Sequence, residues 1–431
     1  MSGAGSLWRH GDFMKLWTAQ SVSLVGSQVT VLAFPLTAVI VLKASAFEVG
    51  LLATAQYLPF LVVGLPAGAW LDRVRRRPVL ITADLARAVL LGIIPLLFAL
   101  GALRLWIMYP VAFLAGVFNV FSDVGQLSYL PSLVDRDQIA DGNGKLELSY
   151  QGAQLAGPGL GGILVQALKG PVAILADAIS YVGSAVLLLT IRRREPPVER
   201  PEAAPSLRRE IAEGLRFVFG NRFLRPIALV TAATNIFDFF GMVQAVLTIY
   251  AIRILLLTPA TLGLTLLLAN IGGVLGAAVN KRIVDKLGFG MSIALSGVCS
   301  GISILVLVLA TPGNAIILLS VAIGFAWFGI AIYNINQISL RQHVTPDAML
   351  GRMNATVRFL IWGTIPVGTF IGGISGTAFG IRPTLMISGI GYLVCCLPLF
   401  VSKIPTLKSI DDAEPAARGA SGTSTAQVDL A

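Results

Sequence analysis

Residues 68–80 read GAWLDRVRRRPVL, one acid and four arginines within six residues. The flanks are LLATAQYLPFLVVGLPA before and ITADLARAVLLGIIPLLFAL after, both nearly free of charge. Each flank approaches the ~20 mostly apolar residues that cross a bilayer. The charged island is therefore a turn between two spans, and everything else in the reading follows from its side of the membrane.

Of the 431 residues, 55% are hydrophobic and 13% charged, and the mean hydropathy is +0.81. A soluble domain carries about 25% charged residues, so this chain lacks the surface to live in water. The net charge of +10 sits in short gaps between apolar runs and forms no soluble basic face, which excludes a nucleic-acid binder. Two histidines, His10 and His343, have no ligand neighbours at metal-binding spacing, and Cys299, Cys395 and Cys396 lie within apolar runs. Neither a metal centre nor a disulfide framework is implied.

Twelve candidate spans follow: 14–41, 47–71, 78–100, 105–128, 143–168, 171–191, 224–252, 258–283, 289–311, 315–340, 352–379 and 383–402. With both termini cytoplasmic, the outer connections hold one cation each at most: Lys43, Arg104, Lys169, Arg253 and Arg382. The inner ones hold Arg73, Arg75, Arg76 and Arg77, then the stretch 192–225, then Lys281, Arg282 and Lys286. That bias sets the orientation. The expected organisation is a six-helix bundle over 1–191, a cytoplasmic linker over 192–223, a second bundle over 224–403 and a disordered tail over 404–431. Within the linker, Ser206 is a plausible N-cap, and Ile211, Leu215, Val218 and Phe219 share one helical face. With Arg208, Arg209, Arg216 and Arg222 opposite, they predict an amphipathic helix on the anionic inner leaflet.

The halves repeat. Gly50 precedes Asp72 as Gly263 precedes Asp285, and NGKLELSYQGAQLAGPGLGG (143–162) matches NATVRFLIWGTIPVGTFIGG (354–373). Spacings of 211 to 213 residues in two separate places indicate two bundles of common design, with a midplane site between them.

The opening stretch, with this repeat, resembles the signature of the major facilitator superfamily: Gly68, Asp72, Arg73, Arg76 and Arg77, with Arg75 where a second glycine is usual. Positive-inside anchoring alone accounts for the arginines but not for Gly68 or Asp72. The resemblance implies a state-dependent latch. Asp72 would cap the N-terminus of span 11, and Arg76 would reach Asp123 on span 4. A second motif, Gly144, Gly157, Pro158, Gly161 and Gly162 in span 5, keeps the spacing seen in the family's proton-coupled exporters, with Ala153 as a departure. Small-residue packing explains the same glycines. No strand precedes GPGLGG, so it is not a dinucleotide loop, and no cofactor is expected. Phrases such as FSDVGQLSYLPSLVDRDQIADGNGKLELS and GRMNATVRFLIWGTIPVGT look like the bacterial branch holding the enterobactin exporter and macrolide efflux proteins. That likeness implies an all-α, twelve-helix fold and export of amphipathic compounds driven by protons.

Ionisable groups inside a bilayer are costly and are functional candidates by default. Asp238 lies about 14 residues, roughly 21 Å, into span 7 and is the first choice for a protonatable carboxylate; helix packing is the plain alternative. Glu147 in span 5 has Arg358 as its repeat mate, Asp84 and Arg87 are placed to pair with each other, and Asp177 reads as structural. A cavity lined from spans 1, 4, 7 and 10 would include Gln28, Asn119, Asn235, Trp327, Tyr333, Asn334 and Asn336, with Arg358 added from span 11; helix–helix hydrogen bonding is the alternative for each. The expected partners are an amphipathic small molecule, protons and membrane lipids, with no nucleic acid, and the protein is expected to be a monomer in a bacterial cytoplasmic membrane. A facilitator or importer of a lipid or metabolite, or a non-transporting sensor, would share the fold; no catalytic constellation points to an enzyme.

Overall fold

In the computed structural model, residues 7–71, 73–193, 195 and 207–413 are described. Asp72, Ser206 and residues 414–431 lie outside the described residues, so the expectations placed on them are not taken further.

The described chain is helical throughout. The first half comprises α1 (Gly11–Leu36), α2 (Ala46–Val62), α3 (Gly64–Leu71), α4 (Arg76–Ala99), α5 (Leu105–Leu133), α6 (Ile139–Leu168) and α7 (Gly170–Leu189). After α8 (Leu207–Gly220), the second half comprises α9 (Leu224–Phe237), α10 (Met242–Ile249), α11 (Pro259–Leu287), α12 (Phe289–Leu307), α13 (Ala315–His343), α14 (Asp347–Ala378) and α15 (Ile381–Val401). Ten segments among the described residues are long and apolar enough to cross a membrane. The other two crossings are less obvious by composition. The α2 helix has 17 residues and is continued by α3 after a break at Val63. The 30 residues of α6 span ~45 Å, but polar side chains crowd its first half.

The halves copy one another in backbone detail. After α1, Thr37–Val41 form a π-helical turn, as Tyr250–Ile254 do after α10. In both, a reversal follows through a residue with positive φ, Lys43 at 54° and Leu256 at 55°. The next helix opens on a hydroxyl cap, Ser45 or Thr258. The reversal amides of Ala44 and Leu257 bond to the Ala38 and Ala251 carbonyls, each at 2.9 Å. These are the positions that the sequence repeat pairs.

The first and last described residues lie at one end of the bundle, the near end. At the opposite, far end a single buried cluster draws on both halves, with Val29, Leu52, Ile94 and Ile174 beside Val246, Tyr250, Ile304 and Leu385. At the near end the core divides. Phe13, Leu16, Tyr129 and Leu188 pack within the first half, and Ile227, Phe289, Met353 and Leu399 within the second. The halves thus meet at the far end and part toward the near end.

Two expectations are corrected. The tail does not begin at 404, because Ile404, Leu407 and Ala413 are buried in the second half's near-end core. The Phe289 and Gly290 amides donate to the Lys408 and Leu407 carbonyls at 3.0 and 2.9 Å, and these apolar side chains were hidden in a stretch whose average composition is polar. The amphipathic α8 does form, but its face is not left to lipid. Val218 is fully buried, a side chain at Gly214 would strike Thr356 and the Arg352 carbonyl on α14, and Glu213 pairs with Arg352 at 2.8 Å.

Two outcomes follow from this packing. A leucine at Gly263 or Gly50 cannot fit against the opposing backbone and should splay the far end, at a cost of ~1–3 kcal/mol; spin-label distances across that end would lengthen, and unchanged distances would refute the crossing. Asp412 accepts the amides of Ser409 and Lys408 at 2.9 and 2.8 Å, which hold its carboxyl below the usual carboxylate range. The stabilisation is therefore present above that range and is lost as pH falls through the lowered value. Amide exchange at Phe289 and Gly290, corrected for intrinsic rates, should quicken on acidification in the wild type and not in Asp412→Asn.

Candidate functional site

The seam between the halves is built from glycine. A side chain on Gly50 of α2 would lie 2.6 Å from the Gly373 Cα of α14, and one on Gly162 of α6 would lie 2.9 Å from the Gly263 Cα of α11. These are equivalent crossings, since the repeat pairs Gly50 with Gly263 and Gly162 with Gly373. The hydrogen bonds beside them are equivalent too. The Phe47 amide donates to Thr377 Oγ1 at 2.9 Å, and the Ala260 amide to Gln166 Oε1 at 3.0 Å. Further bonds join Thr54 to Thr369 at 2.8 Å, Asn270 to the Gln154 carbonyl at 2.7 Å and Arg253 to the Val39 carbonyl at 3.1 Å.

The span 5 motif divides between two tasks. Gly157 and Gly161 seat α6 on α1, where a side chain would strike Gln28 or crowd Val29, while Gly162 makes the inter-half crossing beside Gly159, which meets Leu267. The Pro158 carbonyl faces Gly263. Gly144 has nothing near it, because α6 leaves the other half toward the near end.

Midway along the seam, span 7 breaks. The Asp238 carboxylate accepts the amides of Phe240 and Gly241 at 2.8 and 3.0 Å, a local turn that competes with helical hydrogen bonding. It closes α9, and the Asp238 main-chain carbonyl accepts the Val243 amide at 3.1 Å where α10 begins. Ser388 of α15 donates to the Phe237 carbonyl freed by the break. Asp238 is 6% exposed, and Tyr57 of α2 and Tyr392 of α15 lie within its electrostatic reach. Around it, Phe239 and Phe240 pack on Trp327, Asn235 donates to the Ile361 carbonyl at 2.9 Å and Tyr333 bonds Thr231 at 2.7 Å. Phe60 of α2 stacks on Trp362 of α14 with centroids 4.8 Å apart, so aromatic rings from both halves meet on the near side of the seam.

Several expected placements change. Asn336 is buried against Asn280 of α11, with Nδ2 donating at 2.8 Å, so it holds helices together. Gln28 packs against α6, and Asn119 accepts from Arg87 at 2.7 Å, inside the first bundle. Asn334 is exposed. Glu147 is exposed, accepts from Gln151 at 2.7 Å and stands apart from Arg358. Arg358 instead faces Asp123 across the two halves at 4.0 Å. Asp123 is thus not held by Arg76. The Arg76 amide donates to Glu195 at 3.0 Å, and the Arg77 guanidinium caps α7 through the Leu188 and Leu189 carbonyls at 2.9 and 2.8 Å, the usual use of a cation at a helix C-terminus. Arg73 is exposed. Gly68 lies within α3 with nothing in reach of an added side chain.

The reading missed Tyr57, Phe60 and Trp362, which belong to spans 2 and 11 rather than to the spans searched for a cavity. Their signal was an aromatic pair at i, i+3 in α2 beside the glycine that makes the crossing. Near the latch motif, a cavity of about 570 Å³ opens between α3, α4 and α5, walled by Trp70, Val79, Phe118 and Phe121 with Arg75 at its edge.

The model of the Major Facilitator Superfamily matches residues 16–363. The chain belongs to the Major Facilitator Superfamily. It is 26% identical to the multidrug efflux pump Tap of Mycolicibacterium fortuitum over 94% of this chain and 98% of that protein. It is 21% identical to macrolide efflux protein A of Streptococcus pyogenes, over 93% and 97%. Its fold matches a point mutant of the nucleoside transporter NupG with a TM-score of 0.73 at 11% identity, covering 90% of this chain and 99% of that one. It also matches a bacterial homologue of the iron transporter ferroportin in an inward-facing state, with a TM-score of 0.70 at 15% identity, over 92% and 99%. The protein is therefore a multi-pass membrane transporter of this superfamily, with drug-efflux relatives along nearly its whole length.

The Asp123–Arg358 pair is half exposed, so its direct worth is below ~1 kcal/mol; its effect should appear in the balance between states. Reversing either charge should shift that balance, and reversing both (Asp123→Arg with Arg358→Asp) should restore transport. Failure of the double variant to recover would remove the pair from the gating scheme.

Proposed function

We propose that this transporter exports an amphipathic small molecule, a drug or siderophore-like compound, in exchange for protons, with the two halves rocking about a central site. The drug and macrolide efflux relatives support the export direction and the substrate class. The positive-inside bias supports a bacterial cytoplasmic membrane with both termini inside, which makes the near end the cytoplasmic one. The observation that carries the reading is the divided core: one cluster joins the halves at the far end, two separate clusters hold them at the near end, and a buried acid lies between. This is the geometry of a site open to one side.

Asp238 stands ahead of Glu147 as the coupling group, since Asp238 is buried at the seam and Glu147 is exposed in the mouth. The aromatic lining and the apolar cavity beside Arg75 suit a guest that partitions from the bilayer. The protein acts as a monomer among lipids. In the alternate state the near end of α14 would swing onto α3, and there Gly68, unencumbered now, would face a close neighbour.

Everted vesicles with an acidified lumen, given an amphipathic fluorescent dye or a macrolide in the outer medium and followed for uptake, test this. Transport should collapse with a proton uncoupler, and indifference to it would reject proton exchange. Asp238→Asn keeps an oxygen for the Phe240 and Gly241 amides and removes the charge, so it should insert normally and lose coupled transport. Asp238→Ala removes both side-chain hydrogen bonds of the turn as well and should cost a further ~1 kcal/mol of stability. Coupling that survives Asp238→Asn would move the proton site elsewhere. Gly68→Val should leave the present state intact and abolish turnover.

A further inference from the structure

The first bundle contains a second acid that the seam does not use. Asp177 lies two turns into α7 and is 1% exposed. Beside it a cavity of about 70 Å³ is lined by Thr30, Gln56, Arg87, Asn119, Asp177 and Tyr181, room enough for water with polar partners. Arg87 and Asp84, 6% and 3% exposed, form the expected pair at 2.5 Å.

The guanidinium is fully committed. One terminal nitrogen donates to Asp84 and to Ser122 at 3.0 Å. The other donates to Asn119 at 2.7 Å and Tyr181 at 3.3 Å, and Nε donates to the Ala83 carbonyl at 3.3 Å. All five N–H groups are engaged without Asp177. Two carboxylates and one cation thus share a buried site. Among the described residues the groups around Asp177 include the hydroxyls of Thr30 and Ser27 from α1, Ser180 and Tyr181 on its own helix and Arg87 from α4; Ser180 donates to it at 3.2 Å. An isolated carboxylate is too costly to hold in such surroundings, and hydroxyls neutralise nothing.

We propose that Asp177 is a proton-binding site inside the first bundle, with the Asp84–Arg87 pair as its charge partner. With the proton on Asp177, Arg87 serves Asp84, which is the arrangement seen. When the proton leaves to water in the cavity, the guanidinium, 4.0 Å above the Tyr181 ring, is drawn between two anions. The strain falls on α1. A side chain at Gly26 would lie 2.7 Å from the Asp177 carboxylate, Ser27 bonds Tyr181 at 2.8 Å, and the next residue, Gln28, seats Gly157 of α6. The charge on Asp177 is thereby felt by the helix that makes the Gly162–Gly263 crossing. The part this site plays in coupling rests on the proton-exchange reading; its occupancy by a proton does not.

Infrared difference spectra of the full-length protein in lipid vesicles, titrated with pH, separate the two. The wild type should show a protonated-carboxyl band that is lost in Asp177→Asn, displaced in Asp177→Glu and retained in Asp238→Asn. Asp177→Asn, which mimics the protonated group, should melt no lower than the wild type, and its transport should lose its response to the uncoupler. A band identical in wild type and Asp177→Asn would overturn the proposal, as would a band erased by sodium at constant pH, which would mark a metal-cation site. A transport assay indifferent to uncoupler in the wild type, with the band present, would reject the coupling role alone.

Discussion

The arrangement of this protein depends on how closely two pairs of helices can approach. Where Gly50 crosses Gly373 and Gly162 crosses Gly263, the backbones stand at a separation that no side chain would permit. Lipid tails are as apolar as leucine, so helices in a bilayer gain little from burying apolar surface against each other and depend on close van der Waals contact and hydrogen bonds. The crossings supply the contact, and the Phe47–Thr377 and Ala260–Gln166 bonds fix the register. Because both crossings sit toward one end, the buried core that the two halves share lies there among the described residues. Two bundles joined at one end follow from four glycines and their spacing.

The fold was largely legible in the sequence. The apolar runs, the positive-inside bias and the repeat at 211 to 213 residues are properties of composition and order, and the bilayer converts them directly into spans. The same repeat named the four crossing glycines, although nothing in it said that they would meet across the seam. The break at Asp238 was less accessible. A single acid amid apolar residues reads as a buried charge at a certain depth, whereas its use in the turn depends on the Phe240 and Gly241 amides turning back toward it.

Side-chain partnerships were the least legible part. Glu147 and Arg358 occupy equivalent places in the repeat, yet equivalence relates positions within halves and does not bring them together; Arg358 instead faces Asp123. Arg76 and Arg77 looked like a latch in sequence, but in this conformation Arg77 closes the C-terminus of α7. For Asn336 and Asn119 the sequence left two readings open, cavity lining or helix–helix hydrogen bonding, and each is satisfied within its own bundle. Which partner a long polar side chain selects depends on rotation of the helix that bears it, and a local pattern does not report that rotation.

The broken span has a mechanical side. The short α10 helix and its π-helical extension run from Met242 to Ile254, and near their end the Arg253 guanidinium holds the Val39 carbonyl in the other half. A carboxylate grips amide protons more firmly than a neutral acid does. One short helix is therefore held at both ends by single side chains, its start set by the turn at Asp238 within the second half and its end tied by Arg253 to the first.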